Sequence, residues 1–119
     1  MNIETFREYC LSKKGVTESF PFDKTTLVFK VMDKMFALTG LHKIPFAVNL
    51  KCDPDRAIML RESYSEIIAG YHMNKQHWNT VTFNDSLPHT LLKELIDHSY
   101  DLVVASLPKK KQALLATLN

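Results

Sequence analysis

Glycine is scarce in this chain: Gly15, Gly40 and Gly70 are the only three in 119 residues. That removes the glycine-rich loops that cradle phosphates and the Gly-x-Ser-x-Gly elbow that presents a nucleophilic serine. Cysteine is reduced to Cys10 and Cys52. With no signal-peptide core after Met1, these are expected to be free thiols of a cytoplasmic protein, Cys10 on an apolar helix face and Cys52 just before a helix start. No apolar run approaches the roughly 18 residues of a membrane span. No repeat, low-complexity stretch or Pro/Gly/Ser-rich linker divides residues 1–119, so a single domain and a monomer are expected.

Metal and catalytic patterns are equally thin. His72 and His77 have the wrong spacing for one helix face and lack carboxylate neighbours. Cys52, Asp53 and Asp55 form a ligand cluster on paper, yet Asp53 is better explained as a helix cap. No metal, cofactor or catalytic residue is expected, and no spacing favours a cysteine–histidine nucleophile.

What remains is the composition of an ordinary globular domain, 45% hydrophobic and 24% charged, which excludes disordered and coiled-coil classes. The formal net charge of +2 hides a segregation. Residues 34–52 hold Lys34, Lys43 and Lys51 and no acid. Acids gather in 53–66 and 85–101, while 67–84 carry Lys75 alone and 102–119 carry Lys109, Lys110 and Lys111. Either helices simply take mixed charge where strands do not, or the molecule has one basic face suited to a polyanion.

Hydrophobic periodicity sets out the elements. Asn2 caps a first helix with Ile3, Phe6, Cys10 and Leu11 on one face, and Gly15 stops it. Thr26–Met32 and Met35–Thr39 alternate about a turn at Asp33-Lys34, and Phe46–Lys51 alternates again. Asp53-Pro54 starts a second helix. Gly70 precedes a short strand at Tyr71–Met73, and Trp78–Phe83 alternates. From Pro88, the residues Leu91, Leu92, Leu95, Ile96, Ser99, Tyr100, Val103 and Val104 form one helical stripe. Pro108 ends that helix, and Lys109–Leu118 makes a short one. The predicted class is α+β, in the order α-β-β-β-α-β-β-α. It comprises two layers, a single antiparallel sheet of about five strands with helices packed on one face.

If Leu27, Phe29, Val31, Phe46, Val48, Leu50, Val81 and Phe83 face the helices, the opposite face presents Lys30, Asn49, Lys51, Trp78, Thr80 and Thr82. The densest unusual stretch runs from Tyr71 to Asn79 and has no acid. Its Trp78 is either a base-stacking platform or a core anchor.

Several blocks in this chain resemble the MmcQ/YjbR family of small bacterial proteins. They are Val48-Asn49-Leu50-Lys51-Cys52-Asp53-Pro54, Leu60-Arg61, Tyr71-His72-Met73-Asn74-Lys75, His77-Trp78-Asn79-Thr80-Val81 and Ser99-Tyr100, with Phe20-Pro21-Phe22 and Lys34-Met35-Phe36-Ala37 earlier. The likeness covers nearly the whole chain, and the last ten or so residues are individual. It implies a compact α+β fold resembling CyaY and secretion chaperones, DNA binding through a double wing of β hairpins, and no enzymatic reaction.

Two functions follow as expectations. The first is a DNA-binding protein in which Lys34 and Lys43 touch phosphates from hairpin loops, Lys30, Lys51, Lys75 and His77 add charge, and Asn49, Trp78 and Asn79 bond or stack. The second is a chaperone-like adaptor that covers its open sheet face with a protein partner. A continuous basic face favours the first and a large apolar patch favours the second.

Overall fold

The computed structural model describes residues 1–71 and 73–118, so His72 lies outside the described residues. Helix α1 spans Ile3–Leu11. Four strands follow: β1 (Val16–Ser19), β2 (Thr26–Val31), β3 (Lys34–Gly40) and β4 (Ala47–Lys51). Helix α2 (Pro54–Ser63), β5 (Ile67–Ala69), β6 (Trp78–Thr82), α3 (His89–Ser106) and α4 (Lys109–Ala116) complete the chain. All strand pairs are antiparallel, in one sheet of order β1-β2-β3-β4-β6-β5. Helix α3 lies across β2, β3 and β4, α1 against β1 and α2 against β5. The two-layer α+β architecture is the expected one, with six strands where about five were predicted.

The added strand is β1. Its sequence, Val-Thr-Glu-Ser, has one strongly apolar residue and no hydrophobic alternation. It forms because it pairs with β2 at the sheet edge and Glu18 bonds Arg7 of α1 at 2.8 Å. The fifth strand is also displaced. It lies at 67–69, not 71–73, because Gly70 closes the ladder by donating to the Trp78 carbonyl at 2.8 Å. A Cβ on Gly70 would stand 2.8 Å from the Trp78 Cβ, so the chain tolerates only glycine at this approach.

The β2–β3 turn is Met32-Asp33, one residue earlier than Asp33-Lys34. Both residues have positive φ, 48° and 71°, as a two-residue loop between right-twisted strands requires. Val31 then pairs with Lys34. Further along, Phe29 pairs with Ala37 but Lys30 pairs with Met35, which leaves Phe36 as the extra residue of a bulge. Phe36 and Ala37 both join the main core, while Met35 and Leu38 take the opposite face.

Capping follows the sequence closely. The Asn2 side chain accepts from the Thr5 N–H at 2.9 Å and Thr5 Oγ1 accepts from the Asn2 N–H at 3.0 Å. Asp53 accepts from the Arg56 N–H, and Pro54 opens α2. The main core lies between sheet and helices. Phe6 sits edge-on to Phe29, Phe46 and Phe83 at 5.4, 5.8 and 5.6 Å between centroids. Leu92, Leu95, Ile96, Ser99 and Val103 of α3 are buried against it.

Candidate binding face

On the side of the sheet away from the helices, the register places Val28, Leu38, Asn49, Thr80 and Ile68 in one row across β2, β3, β4, β6 and β5. Lys51 stands opposite Trp78 one step along. Val28, Leu38 and Trp78 form a second apolar cluster here, with Met35 and Met73 packed on it. Above the cluster lies a hollow of about 430 Å³, walled by Phe22, Met35, Leu38, Tyr71 and Met73. Lys43 stands on the wall from the β3–β4 loop, its Nζ 5.4 Å from the centre of the Tyr71 ring.

A polar network crosses the floor of the hollow. The Tyr71 N–H donates to Thr80 Oγ1 at 3.1 Å, and the Thr80 hydroxyl donates to Asn49 Oδ1 at 2.5 Å. Among the described residues no acidic side chain lines the hollow.

Lys30 and Lys51 rise from this face, as the alternation required, and Lys34 begins β3 beside the hairpin tip. Lys75 and His77 are exposed in the loop before β6. That loop is fixed through its backbone: Arg61 donates to the Lys75 carbonyl at 3.1 Å and the Cys52 N–H to the His77 carbonyl at 2.8 Å. Two residues sit otherwise than a nucleic-acid face needs. Trp78 belongs to the right face but is only 9% exposed, because Met35 and Met73 cover its cluster. Asn79 faces the helices, where its amide donates to the Ala57 carbonyl at 3.4 Å. The strand period of two makes neighbours diverge, so Trp78 and Asn79 cannot share one surface.

Sequence reasoning missed Phe22, Met35, Leu38, Tyr71 and Met73 as site residues. The usable signal was an excess of large apolar residues on the strand face assigned to solvent, and the bulge at Phe36 hid it by shifting the phase of β3.

Arg7 with Glu18, Lys13 with Asp97 and Arg56 with Glu94 are the ion pairs among the described residues, and each involves the helix layer. Lys30, Lys34, Lys43, Lys51 and Lys75 have no carboxylate at ion-pair distance among those residues. Both cysteines are free and buried. Burial pushes the Cys10 thiol up to about 12 and the Cys52 thiol up to about 11, so neither is a ready nucleophile at neutral pH. Among the described residues no three His, Cys, Asp or Glu side chains gather as a metal site, and no helix is long and apolar enough to cross a membrane.

Comparison with known proteins agrees with this architecture. The YjbR family model matches residues 11–102. The uncharacterized Escherichia coli K12 protein YjbR is 36% identical over 118 residues, spanning 99% of this chain and 100% of the relative. YbdF of Escherichia coli O157:H7, also uncharacterized, is 38% identical over 92% of this chain and 89% of its own. A Deinococcus radiodurans crystal structure superposes with a TM-score of 0.91 at 40% identity, covering 97% of this chain and 88% of that one. One from Pseudomonas syringae gives 0.74 at 30% identity, over 86% and 98%. With the family model on most of its length and such relatives along nearly all of it, this chain belongs to the YjbR family.

Proposed function

We propose that this protein is a non-enzymatic interaction module, acting as a single copy in the cytoplasm, that holds an apolar, acid-flanked segment of a partner protein on its open sheet face. The hollow carries this reading. A sheet face turned to water ordinarily alternates to polar residues, yet here Phe22, Met35, Leu38, Tyr71 and Met73 build an apolar concavity. Methionine walls adapt to varied side chains. Lys30, Lys43, Lys51 and Lys75, unpaired among the described residues, supply complementarity to acidic flanks.

Selection from a random peptide library tests this directly. The enriched peptides should combine bulky apolar residues with Asp or Glu, and their binding should change the emission of Trp78, whose cluster Met35 and Met73 of the wall pack against. Met35→Glu should abolish binding while the circular dichroism stays native. Selected peptides that bind Met35→Glu as well as the parent would refute the reading.

The same lysines favour a second reading, DNA binding through phosphates. With Trp78 covered and Asn79 turned away, the contacts would be to the backbone and steeply salt-dependent. Titration with duplex DNA separates the two. The adaptor reading predicts no binding at physiological salt. A saturable complex there, weakened by Lys51→Ala and flattened in salt slope by about one unit, would favour DNA.

A further inference from the structure

We infer that the segment held in the hollow is the carboxyl end of a partner chain closing on a bulky apolar residue, its terminal carboxylate received by the Asn49 amide and the Lys43 ammonium. This rests on the adaptor reading and narrows it to one kind of chain end.

Thr80 orients the Asn49 amide: its hydroxyl accepts from the Tyr71 N–H and donates to Asn49 Oδ1. The oxygen of the Asn49 amide is therefore engaged from the β6 side, and the NH2 group is the end left over. That NH2 makes no hydrogen bond among the described residues, and Asn49 lines the hollow. The Asn49 NH2 is thus the unpaired donor that the floor presents among the described residues.

Lys43 adds a cation on the wall with no carboxylate partner among the described residues. Among the described residues no acid lines the hollow to compete. A site with donors, one positive charge and apolar walls selects a group that only accepts, carries negative charge and is attached to apolar surface. A carboxylate on a bulky apolar residue fits. An internal Asp or Glu would bring its charge in on its own short stem and leave Met35, Leu38 and Met73 to be covered by neighbours approaching from outside. A chain terminus carries the carboxylate and the apolar side chain on one carbon, so both enter a hollow of this size together.

The test compares short peptides ending in a free Phe or Leu with the same peptides amidated at the C-terminus, and with N-acetylphenylalanine as a small acid. Trp78 emission and the backbone amide signals of Met35, Asn49 and Thr80 report binding. The free acids should bind roughly tenfold or more tightly than the amides, the difference expected of a charge-assisted contact. Asn49→Asp, which keeps the shape and replaces the donors by oxygens, should erase that preference. Lys43→Gln should reduce it and remove its salt dependence. Equal binding of acid and amide, with the open-face signals shifting, overturns this inference and leaves the adaptor reading standing. If N-acetylphenylalanine binds as tightly as the peptides, the site is for a small acid and the chain-end assignment is overturned. If no peptide in either form moves the open-face signals, the chain-end inference is overturned, and the library selection decides the adaptor reading by itself.

Discussion

Ser99 supplies from α3 what the short ladder between β3 and β4 lacks. Its hydroxyl donates to the Phe36 carbonyl and accepts from the Lys51 N–H at 2.9 Å, joining the strands where their pairing has stopped at Ala37 and Leu50. Ser99→Ala leaves both groups without that partner, and should cost about 2 kcal/mol or more in urea denaturation. Ser106→Ala, whose hydroxyl bonds only one carbonyl in its own helix, should stay within about 0.5 kcal/mol. Similar losses for the two would show that the strand junction has no special need of Ser99. His98 gives a pH signature. Burial, then the nearby Arg56 guanidinium, lowers its pKa from the ordinary 6.5, and its Nε2 accepts from the Asp53 N–H at 3.1 Å only while neutral. The unfolded chain therefore takes up this proton more readily than the folded one. The stability due to His98 is complete above about 6.5 and declines as pH falls through that value toward the folded pKa. Denaturation midpoints should drop between about pH 7 and pH 6, and His98→Asn should flatten that drop. An unchanged slope in the variant would remove His98 as its source. Asp23 and Glu66, lowered by hydrogen bonds from Thr25 and Thr26 and from Ser86 respectively, act in a separate and more acidic window.

Elements with long apolar periods or strong caps were legible. The α3 stripe and the Asp53-Pro54 start of α2 needed no tertiary information, because burial of the first and capping of the second are written in local spacing. Elements fixed by partners were not. Strand β1 is polar and exists through its neighbours, β5 is three residues long, and the bulge at Phe36 is a property of two strands together. The β2–β3 turn shows the same limit: Asp33 is a residue that favours such a loop, but Met32 at its other positive-φ position is not. Asp33, at φ 71° and exposed, therefore retains removable strain. Asp33→Gly should raise stability by up to about 1 kcal/mol, visible as a higher melting temperature. A lower melting temperature would mean that the aspartate side chain contributes more than its backbone costs.

At the scale of the whole molecule, the segregation of charge along the chain is only partly one in space, since Lys109, Lys110 and Lys111 lie on helix α4. Each ion pair among the described residues involves a helix or the turn that follows one, while Lys30 and Lys51 stand on the opposite side of the sheet. That face was correctly assigned from alternation for Lys30, Asn49, Lys51, Trp78 and Thr80. Its apolar depth was not, because the covering residues come from segments far apart in sequence: Phe22 before β2, Met35 at the bulge, Tyr71 and Met73 before β6. Which side chains such loops bring together is decided by closure of the sheet, and local pattern carries no record of it.

The two buried thiols make the molecule its own stopwatch. A thiol reagent reacts with exposed thiolate, so each sulfur is labelled only when the chain around it opens. Cys10 lies in the terminal helix and Cys52 at the junction of β4 and α2. Terminal helices fray before central strands. Cys10 should therefore be modified at a rate set by detachment of α1 alone, and Cys52 at the slower rate of global unfolding. Mass spectrometry of partly labelled protein would then find singly modified chains carrying the label at Cys10. Equal rates at both sulfurs would mean that α1 and the sheet come apart in one step.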